Sequence, residues 1–512
     1  MFSPKRVRGV LAGVTLVVVG ACSLPAPMLQ QADDDPPATQ PPTGEEEIDD
    51  AELEEFYSQT VDWEECGTDQ ECATVTVPID YAEPESGTID LALKKHATRS
   101  AEGMVLFNPG GPGGSGVDVI DQARYVFTPE LLTAKEIVGF DPRGVGQSAP
   151  ISCYDDDQLD ELYTEVYDVE TDEGFDAYVS SVADYVQACK DNNPETIAHV
   201  DTVSAARDMD VIRAALGVEK LDYLGFSYGT KLGAIYAELF GPHVGRFVLD
   251  GAMTLDGEVS EITHAQVEGF ERAYREYLQD CLQGPGCPFD GGVDDAYDQT
   301  LELLDRVVAN PVDTGDRERP ATEVDAMNAI IVALYDVETW PILSQALTSL
   351  QQGDGEQVKM LSDHVLERES DGTYAPSDGA MAAIQCLDYP DAGEVDRQTL
   401  NAQAQELEEK SPLFGGSMAY GQIACAEFGY SAPENPLDIS AEQAPTMVVI
   451  GTTGDPATPH KWAEDMVKQL DDAVLVTWEG QGHLAYGKSP CINGAVDDFL
   501  IEGLLPEDGL SC

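Results

Sequence analysis

From residue 72 onward, short apolar runs alternate with stretches of helical periodicity. Residues 74–77 and 89–93 alternate apolar and polar side chains with period two, which predicts an antiparallel strand pair. Further runs are almost continuously apolar, as is typical of parallel strands buried on both faces: 104–107, 137–140, 221–224, 247–249, 446–450 and 474–478. The pattern predicts an α/β fold with a mostly parallel sheet of eight strands.

A long interval between the sixth and seventh predicted strands has a different periodicity. Val267, Phe270, Tyr274 and Tyr277 recur there at helical spacing, and the same spacing continues further along the interval. We therefore expect a helical lid at residues 254–440. The lid would divide the sheet-bearing core into a first part, residues 59–253, and a second part, residues 441–512.

The N-terminus has the pattern of an export signal. Three basic residues precede a short apolar run at 9–19, and Val-Gly-Ala-Cys follows, ending at Cys22. This resembles a bacterial lipobox, so residues 1–21 are predicted to be a signal peptide, and Cys22 is predicted to receive the lipid. The alternative is an ordinary secretory leader with a chance cysteine. Residues 22–58 are rich in proline and acid, which predicts a disordered tether on the outer face of the cell membrane.

Charge and hydropathy exclude two classes of protein. The 96 Asp and Glu outnumber the 27 Lys and Arg, for a net charge of −69, and no basic patch is present to hold nucleic acid. Apart from the N-terminal segment, no apolar run approaches the length of a membrane-spanning helix, which excludes a multispanning membrane protein.

Cysteine usage also indicates export. If Cys22 carries lipid, ten of the 11 cysteines remain, and they fall in close sequential couples. We expect five disulfides: Cys66–Cys72, Cys153–Cys189, Cys281–Cys287, Cys386–Cys425 and Cys491–Cys512. Metal binding is the rival interpretation, but there is no CxxC and no paired Cys/His cluster, so no metal is expected.

The central motif is Gly-Phe-Ser-Tyr-Gly at 225–229. An apolar run enters it and a helix-period stretch leaves it, which is the strand–turn–helix setting of a nucleophile elbow. Ser227 is the candidate nucleophile, and the helix N-terminus would stabilise developing negative charge. The alternative is a glycine-rich structural turn.

A second glycine-rich segment, residues 107–116, follows the run at 104–107. Acyl transfer needs two N–H donors for the oxyanion, and we expect these from Tyr228 and Gly111. A phosphate-binding loop is the competing interpretation. It fails because the segment lacks a Gly-Lys-Ser/Thr ending and the spacing of a dinucleotide fingerprint.

The acid and base follow from chain order. Asp455 lies after the run at 446–450, where the chain order Ser, then Asp, then His puts the acid, and only His460 and His483 come later. His460 follows Thr-Pro, which is typical of a helix start. His483 lies on a loop after the last predicted strand and is therefore the predicted base.

Several segments together resemble a known family. The resembling segments are 108–116, 139–148, 225–233, 383–388, 454–459 and 480–483. They are similar to the secreted tripeptidyl-aminopeptidase-like branch of the prolyl-aminopeptidase family of α/β-hydrolases. Pro109 stands where the family's His-Gly-Gly-Pro-Gly has histidine, which affects only the oxyanion loop. The resemblance implies cleavage of peptides from a free amino end, with no cofactor.

Exopeptidase action needs a carboxylate that senses the substrate ammonium group. Asp388, beside Cys386 in the predicted lid, is the candidate. Asp141 and Arg143 are expected to brace the loops around the site through an ion pair and backbone hydrogen bonds. We expect a monomer.

Two other functions use the same residues differently. An esterase or lipase would use the same Ser227, Asp455 and His483, because a fold does not fix the substrate. A non-catalytic binding lipoprotein is the third hypothesis, and the intact set of three residues argues against it.

Overall fold

The computed structural model describes residues 10–11, 50–169, 171–256, 259–389, 396–430, 432 and 438–512. The predicted signal peptide (except residues 10–11), Cys22 and the tether up to residue 49 lie outside the described residues. Within the described ranges, no helix is long and apolar enough to cross a membrane.

Twelve strands are described, and ten of them form one mixed sheet. The strands are β1 Val10–Leu11, β2 Glu64–Gly67, β3 Gln70–Pro78, β4 Thr88–His96, β5 Met104–Asn108, β6 Glu136–Phe140, β7 Val166–Tyr167, β8 Leu221–Phe226, β9 Val244–Asp250, β10 Met447–Gly454, β11 Ala473–Gln481 and β12 Leu510–Ser511. The order across the sheet is β12-β11-β10-β9-β8-β5-β6-β4-β3-β2, and β1 pairs with β7 outside it.

The sheet is parallel from β6 to β12 and antiparallel at its other edge, where β2, β3 and β4 pair with one another and β4 pairs with β6. This confirms the predicted mostly parallel α/β sheet of the α/β-hydrolase fold, and the eight predicted strands are all present. The prediction of eight strands is wrong in number because β2 and β12 add two edge strands. Both are short and carry no apolar run, so hydrophobic periodicity could not detect them.

Nineteen α-helices are described. They are α1 Asp50–Tyr57, α2 Gly116–Asp121, α3 Ala123–Val126, α4 Pro129–Ala134, α5 Asp156–Leu162, α6 Asp172–Asn192, α7 Thr202–Ala215, α8 Tyr228–Phe240, α9 Val259–Cys281, α10 Val293–Ala309, α11 Glu323–Leu334, α12 Trp340–Gln351, α13 Glu356–Val365, α14 Ala380–Asp388, α15 Arg397–Lys410, α16 Gly415–Met418, α17 Gln422–Phe428, α18 His460–Gln469 and α19 Pro490–Glu502.

Helices cover both faces of the sheet. Val105 and Phe107 of β5 pack with residues of α2, α3, α4 and α19, whereas Leu106 packs on the other face in the core that α7 and α8 share. Successive residues of one strand thus enter two separate cores, which is why the central strands are continuously apolar.

Helices α9 to α17 lie between β9 and β10, where the helical lid was expected. They form the inserted helical region, and its core is continuous with that of the sheet face covered by α7 and α8.

The predicted tether, residues 22–58, extends too far at its C-terminal end. Helix α1 lies within it, because Leu53, Phe56 and Tyr57 fall on one helix face and pack against the core, with Phe56 only 3% exposed.

All ten remaining cysteines are disulfide-bonded in the pairs expected from their sequence order. Cys491–Cys512 joins α19 to the residue that follows β12. Cys386–Cys425 joins α14 to α17 in the inserted helical region.

Candidate active site

Ser227 lies in the turn between β8 and α8, with φ 54° and ψ −119°. A non-glycine residue at positive φ is strained, as expected of a serine held on a sharp strand-to-helix turn. Gly225 precedes this turn, and a Cβ there would lie 2.5 Å from the Gly229 carbonyl oxygen. The small residues of the motif therefore allow strand and helix to approach closely enough to project the Ser227 side chain.

The predicted oxyanion loop packs against this turn. Gly110 has φ 97°, and a Cβ there would lie 2.5 Å from Phe226 O and 2.9 Å from the Ser227 Cβ. Gly111 lines the same cavity as Ser227. Tyr228 is the first residue of α8, and helices leave their first N–H groups without a partner inside the helix.

Asp141 stabilises the predicted oxyanion loop through hydrogen bonds. Its Oδ1 accepts hydrogen bonds from Ser115 Oγ at 2.6 Å and from Val117 N at 3.1 Å, and its Oδ2 accepts one from Gln147 N at 2.9 Å. The bracing is of the expected kind, but the carboxylate does not pair with Arg143. Arg143 instead forms a buried ion pair with Asp208, with Nη2 2.6 Å from Oδ1.

Asp455 and His483 are in direct contact. Asp455 is fully buried after β10, and His483 Nδ1 lies 2.9 Å from its Oδ2 and 3.0 Å from its Oδ1. The Asp455 Oδ1 also accepts hydrogen bonds from Ala457 N at 2.9 Å and Thr458 N at 2.8 Å, and Oδ2 accepts one from Thr458 Oγ1 at 3.0 Å. These contacts hold the carboxylate in one orientation against the imidazole.

The electrostatics of this pair favour a protonated imidazole. Burial alone would lower the pKa of His483, but the charges of Asp455 and Asp250 and the hydrogen bond to Asp455 outweigh it and raise the pKa. The raised pKa makes the neutral imidazole a stronger base, so it can accept a proton and hold it during a reaction. Ser227 makes no hydrogen bond to His483 among the described contacts, and such bonds often tighten only when substrate is present.

The inserted helical region holds the acid and base loops. Tyr335 O accepts a hydrogen bond from His483 N at 2.9 Å, and Arg272 Nη2 donates to Asp455 O at 2.9 Å. Gln266 Nε2 donates to Ala457 O at 3.0 Å. The insertion therefore fixes the active-site loops as well as covering them.

Ser227 and His483 open into one cavity of about 380 Å³. The other lining side chains are mostly apolar and come largely from the insertion and the adjoining loops: Met253, Val332, Tyr335, Val365, Met381 and Leu484. No carboxylate lines this cavity within the part of the chain that the structure describes.

A larger cavity of about 1300 Å³ adjoins the first, and the two share His364 and Val365 as lining residues. Its three lining lysine and arginine residues are all engaged by carboxylates: Arg319 by Asp363, Arg368 by Asp160 and Lys359 by Asp325. Glu367 also lines it, and its carboxylate has no partner among the described residues. Desolvation by the cavity walls raises the pKa of Glu367, and the charge of Asp118 adds to this.

Asp388 does not line either cavity. It is 8% exposed, ion-pairs with Lys231 at 3.2 Å, and accepts hydrogen bonds from Thr202 N at 3.0 Å and Thr202 Oγ1 at 2.6 Å. Its carboxylate thus ties α14 to α7 and α8, and the geometry argues against the predicted contact with a substrate ammonium. Sequence could not show this, because the partners lie far from Asp388 along the chain.

His460, the other histidine after Asp455, begins α18 as expected, and its Nε2 lies 2.9 Å from Thr477 Oγ1. Sequence analysis missed Asp250, a buried residue whose carboxylate holds the His483 loop. The only signal was an acid at the end of a buried apolar run. The sequence analysis also missed Glu367, because no sequence pattern distinguishes this residue among the many acidic residues of the chain.

Comparisons with known proteins find one matching family model and relatives that align over most of the chain. A family model described as TAP-like protein matches residues 411–512. The chain is 33% identical to serine protease Hip1 of Mycobacterium tuberculosis, over 89% of this chain and 91% of the relative. It is 34% identical to carboxylesterase B of the same organism, over 97% and 96%, and 30% identical to tripeptidyl aminopeptidase of Streptomyces lividans, over 88% and 86%.

Proposed function

The chain belongs to the tripeptidyl-aminopeptidase-like family of α/β-hydrolases and is a serine peptidase, and we propose that it is an aminopeptidase that releases tripeptides or other short peptides from free amino ends. The observation that carries this proposal is the buried Asp455–His483 pair, which lies in one cavity with Ser227 on its strained turn.

In the proposed mechanism, Ser227 Oγ attacks the carbonyl carbon of the scissile peptide bond while His483 Nε2 takes its proton. Asp455 holds the proton on Nδ1 and stabilises the imidazolium that forms. The N–H groups of Tyr228 and Gly111 donate to the oxyanion of the tetrahedral intermediate. His483 then protonates the leaving amine, the C–N bond breaks, and the acyl group stays on Ser227.

Deacylation repeats the sequence with water. His483 takes a proton from water, the hydroxide attacks the acyl carbon, and the proton returns to Ser227 Oγ as the ester bond breaks. Every proton passes through His483, and water is the only reactant besides the peptide that the proposed mechanism uses.

The larger cavity, which eight acidic residues line and which we call the acidic cavity, supports recognition of a free amino end. A peptide whose scissile carbonyl lies at Ser227 can extend past His364 and Val365 into the larger cavity, which has the unpartnered Glu367 carboxylate. The lining cations there are already neutralised, so the remaining field is negative. A substrate ammonium group would find its counter-charge in this cavity.

The five disulfides support export to an oxidising compartment. We propose that the leader at residues 1–21 is removed and that lipid on Cys22 anchors the protein, as a monomer, to the outer face of the cell membrane. Globomycin, which blocks lipoprotein signal peptidase, should cause the unprocessed precursor to accumulate. Processing that is unchanged by the inhibitor would reject the anchor and leave the peptidase proposal intact.

An esterase is the second candidate, because a relative named carboxylesterase B aligns over 97% of this chain. The two are separated with a tripeptide anilide whose α-amino group is free, the same anilide acetylated, and a short-chain nitrophenyl ester. The proposal expects cleavage of the free-amine anilide at least tenfold faster than of the acetylated one. Equal cleavage of both anilides would reject the exopeptidase, and cleavage of the ester alone would establish the esterase.

A further inference from the structure

Asp250, the last residue of β9, contacts both halves of the catalytic machinery. Its main-chain oxygen accepts a hydrogen bond from Ser227 N at 2.9 Å. Its carboxylate accepts hydrogen bonds from Tyr486 N at 2.7 Å and from Ala485 N at 3.1 Å. One residue therefore joins the turn that carries the nucleophile to the loop that carries His483.

The side chain is fully buried, and that burial is costly for a carboxylate. Burial raises the pKa of Asp250 to about 6, and the Tyr486 and Ala485 amides and the charge of His483 act in the opposite direction. The two amides and the nearby imidazole thus favour the ionised form of the carboxylate. A neutral acceptor could hold the same two amides at lower cost, and the charge can have a use beyond holding the loop.

That use is found in the charged groups around Asp250. The charged groups that act most strongly on it are His483 and Asp455, and its negative charge acts on the imidazole together with that of Asp455. The imidazole becomes positively charged when it takes the proton of Ser227, so a second buried negative charge favours that state.

We propose that Asp250 is a positioning residue for catalysis, which fixes the His483 loop relative to the Ser227 turn and adds a second negative charge that stabilises the imidazolium. This inference rests on the proposed roles of Ser227 and His483. It does not depend on the substrate class, because peptide and ester hydrolysis use the same proton transfers.

The test compares Asp250→Asn with wild type on a nitrophenyl ester and on the free-amine tripeptide anilide. Active sites are titrated with a fluorophosphonate so that kcat refers to folded enzyme. We expect kcat to fall roughly ten- to a hundredfold, since a small misplacement of catalytic groups has this effect. KM should change less than threefold, and the acid limb of the pH profile should move to lower pH.

Asp250→Glu separates charge from position. It keeps the charge but displaces the carboxylate by one methylene, so kcat should fall while the acid limb stays near the wild-type pH. The matched control is Asp208→Asn, which alters another fully buried carboxylate, held by Arg143. It should lower stability without changing kcat per titrated site or the acid limb.

A merely structural role predicts a different result. Asp250→Asn would then lower the melting temperature and the titrated fraction, while kcat per site and the acid limb matched wild type, and the proposal would be overturned. If Asp250→Asn yields no folded protein, Asp250→Glu decides through kcat alone. A wild-type enzyme that cleaves only the ester would reject the aminopeptidase yet leave this test valid.

Discussion

Replacing Asp455 by asparagine should reverse the proton arrangement on His483. In the structure, Oδ1 accepts the Ala457 and Thr458 amides at 2.9 and 2.8 Å, so an asparagine would keep its oxygen there. Its NH2 group would then occupy the Oδ2 position, 2.9 Å from His483 Nδ1. An N–H donor at that position forces Nδ1 to accept and the proton to move to Nε2, the nitrogen that must accept the Ser227 proton.

The magnitude follows from this wrong tautomer. Serine proteases that carry this substitution lose about 10⁴-fold in kcat, equivalent to about 5.5 kcal/mol of transition-state stabilisation. His483 also loses the counter-charge that raises its pKa, so the acid limb of kcat/KM should lie at lower pH than in wild type.

The assay is kcat and kcat/KM from pH 5 to 10 for wild type and Asp455→Asn, with circular dichroism to establish that both are folded. Thr458→Val is a useful companion, because it removes the 3.0 Å hydroxyl contact to Oδ2 but leaves the carboxylate in place. We expect it to lose far less activity than Asp455→Asn. A loss below tenfold in folded Asp455→Asn would refute the assignment of Asp455 as the acid.

Three further predictions test the oxyanion loop, the acidic cavity and the buried ion pair. Gly110→Ala should reduce kcat at least a hundredfold in steady-state assays, because a Cβ there would lie 2.5 Å from a carbonyl oxygen of the nucleophile turn. Unchanged kcat would show that the loop can move aside. Glu367→Gln should raise KM for the free-amine anilide about tenfold, the effect of losing about 1.4 kcal/mol from one charge-assisted contact, and leave the acetylated anilide unaffected. An equal change for both substrates would reject its role. Arg143→Met should lower the free energy of unfolding, measured in urea, by about 3–5 kcal/mol, because it leaves the buried Asp208 carboxylate without its counter-charge. Arg124→Met, at an exposed ion pair, should lower it by less than about 1 kcal/mol, and equal effects would contradict this reasoning.

Much of the candidate site could be predicted from the sequence, because each catalytic candidate follows a buried strand. Apolar runs located β8 and β10, and the polar residues after them, Ser227 and Asp455, meet at one edge because parallel strands end together. For His483, chain order left two candidates, and the helix start at His460 decided between them. The disulfide pairing could also be predicted, since the two cysteines of each pair are close in sequence.

The residues that sequence could not place act through distant partners. Asp388 was the candidate for binding the substrate ammonium group, yet it lies buried against Lys231, which is 157 residues away. Glu367 is one of eight acidic residues that line the larger cavity, and nothing in the surrounding sequence distinguishes it from the other acidic residues of the chain. Asp250 directly follows an apolar run in the sequence, and only the fold brings the His483 loop onto its carboxylate.

The most direct measurement is fluorophosphonate labelling followed by peptide mapping, with cleavage of the free-amine tripeptide anilide followed in the same samples. The account predicts one adduct per chain, on the peptide that contains Ser227, and a loss of anilide cleavage in proportion to labelling. Ser227→Ala should neither label nor cleave. An adduct on another serine, or anilide cleavage that persists in fully labelled enzyme, would contradict a peptidase that works through Ser227.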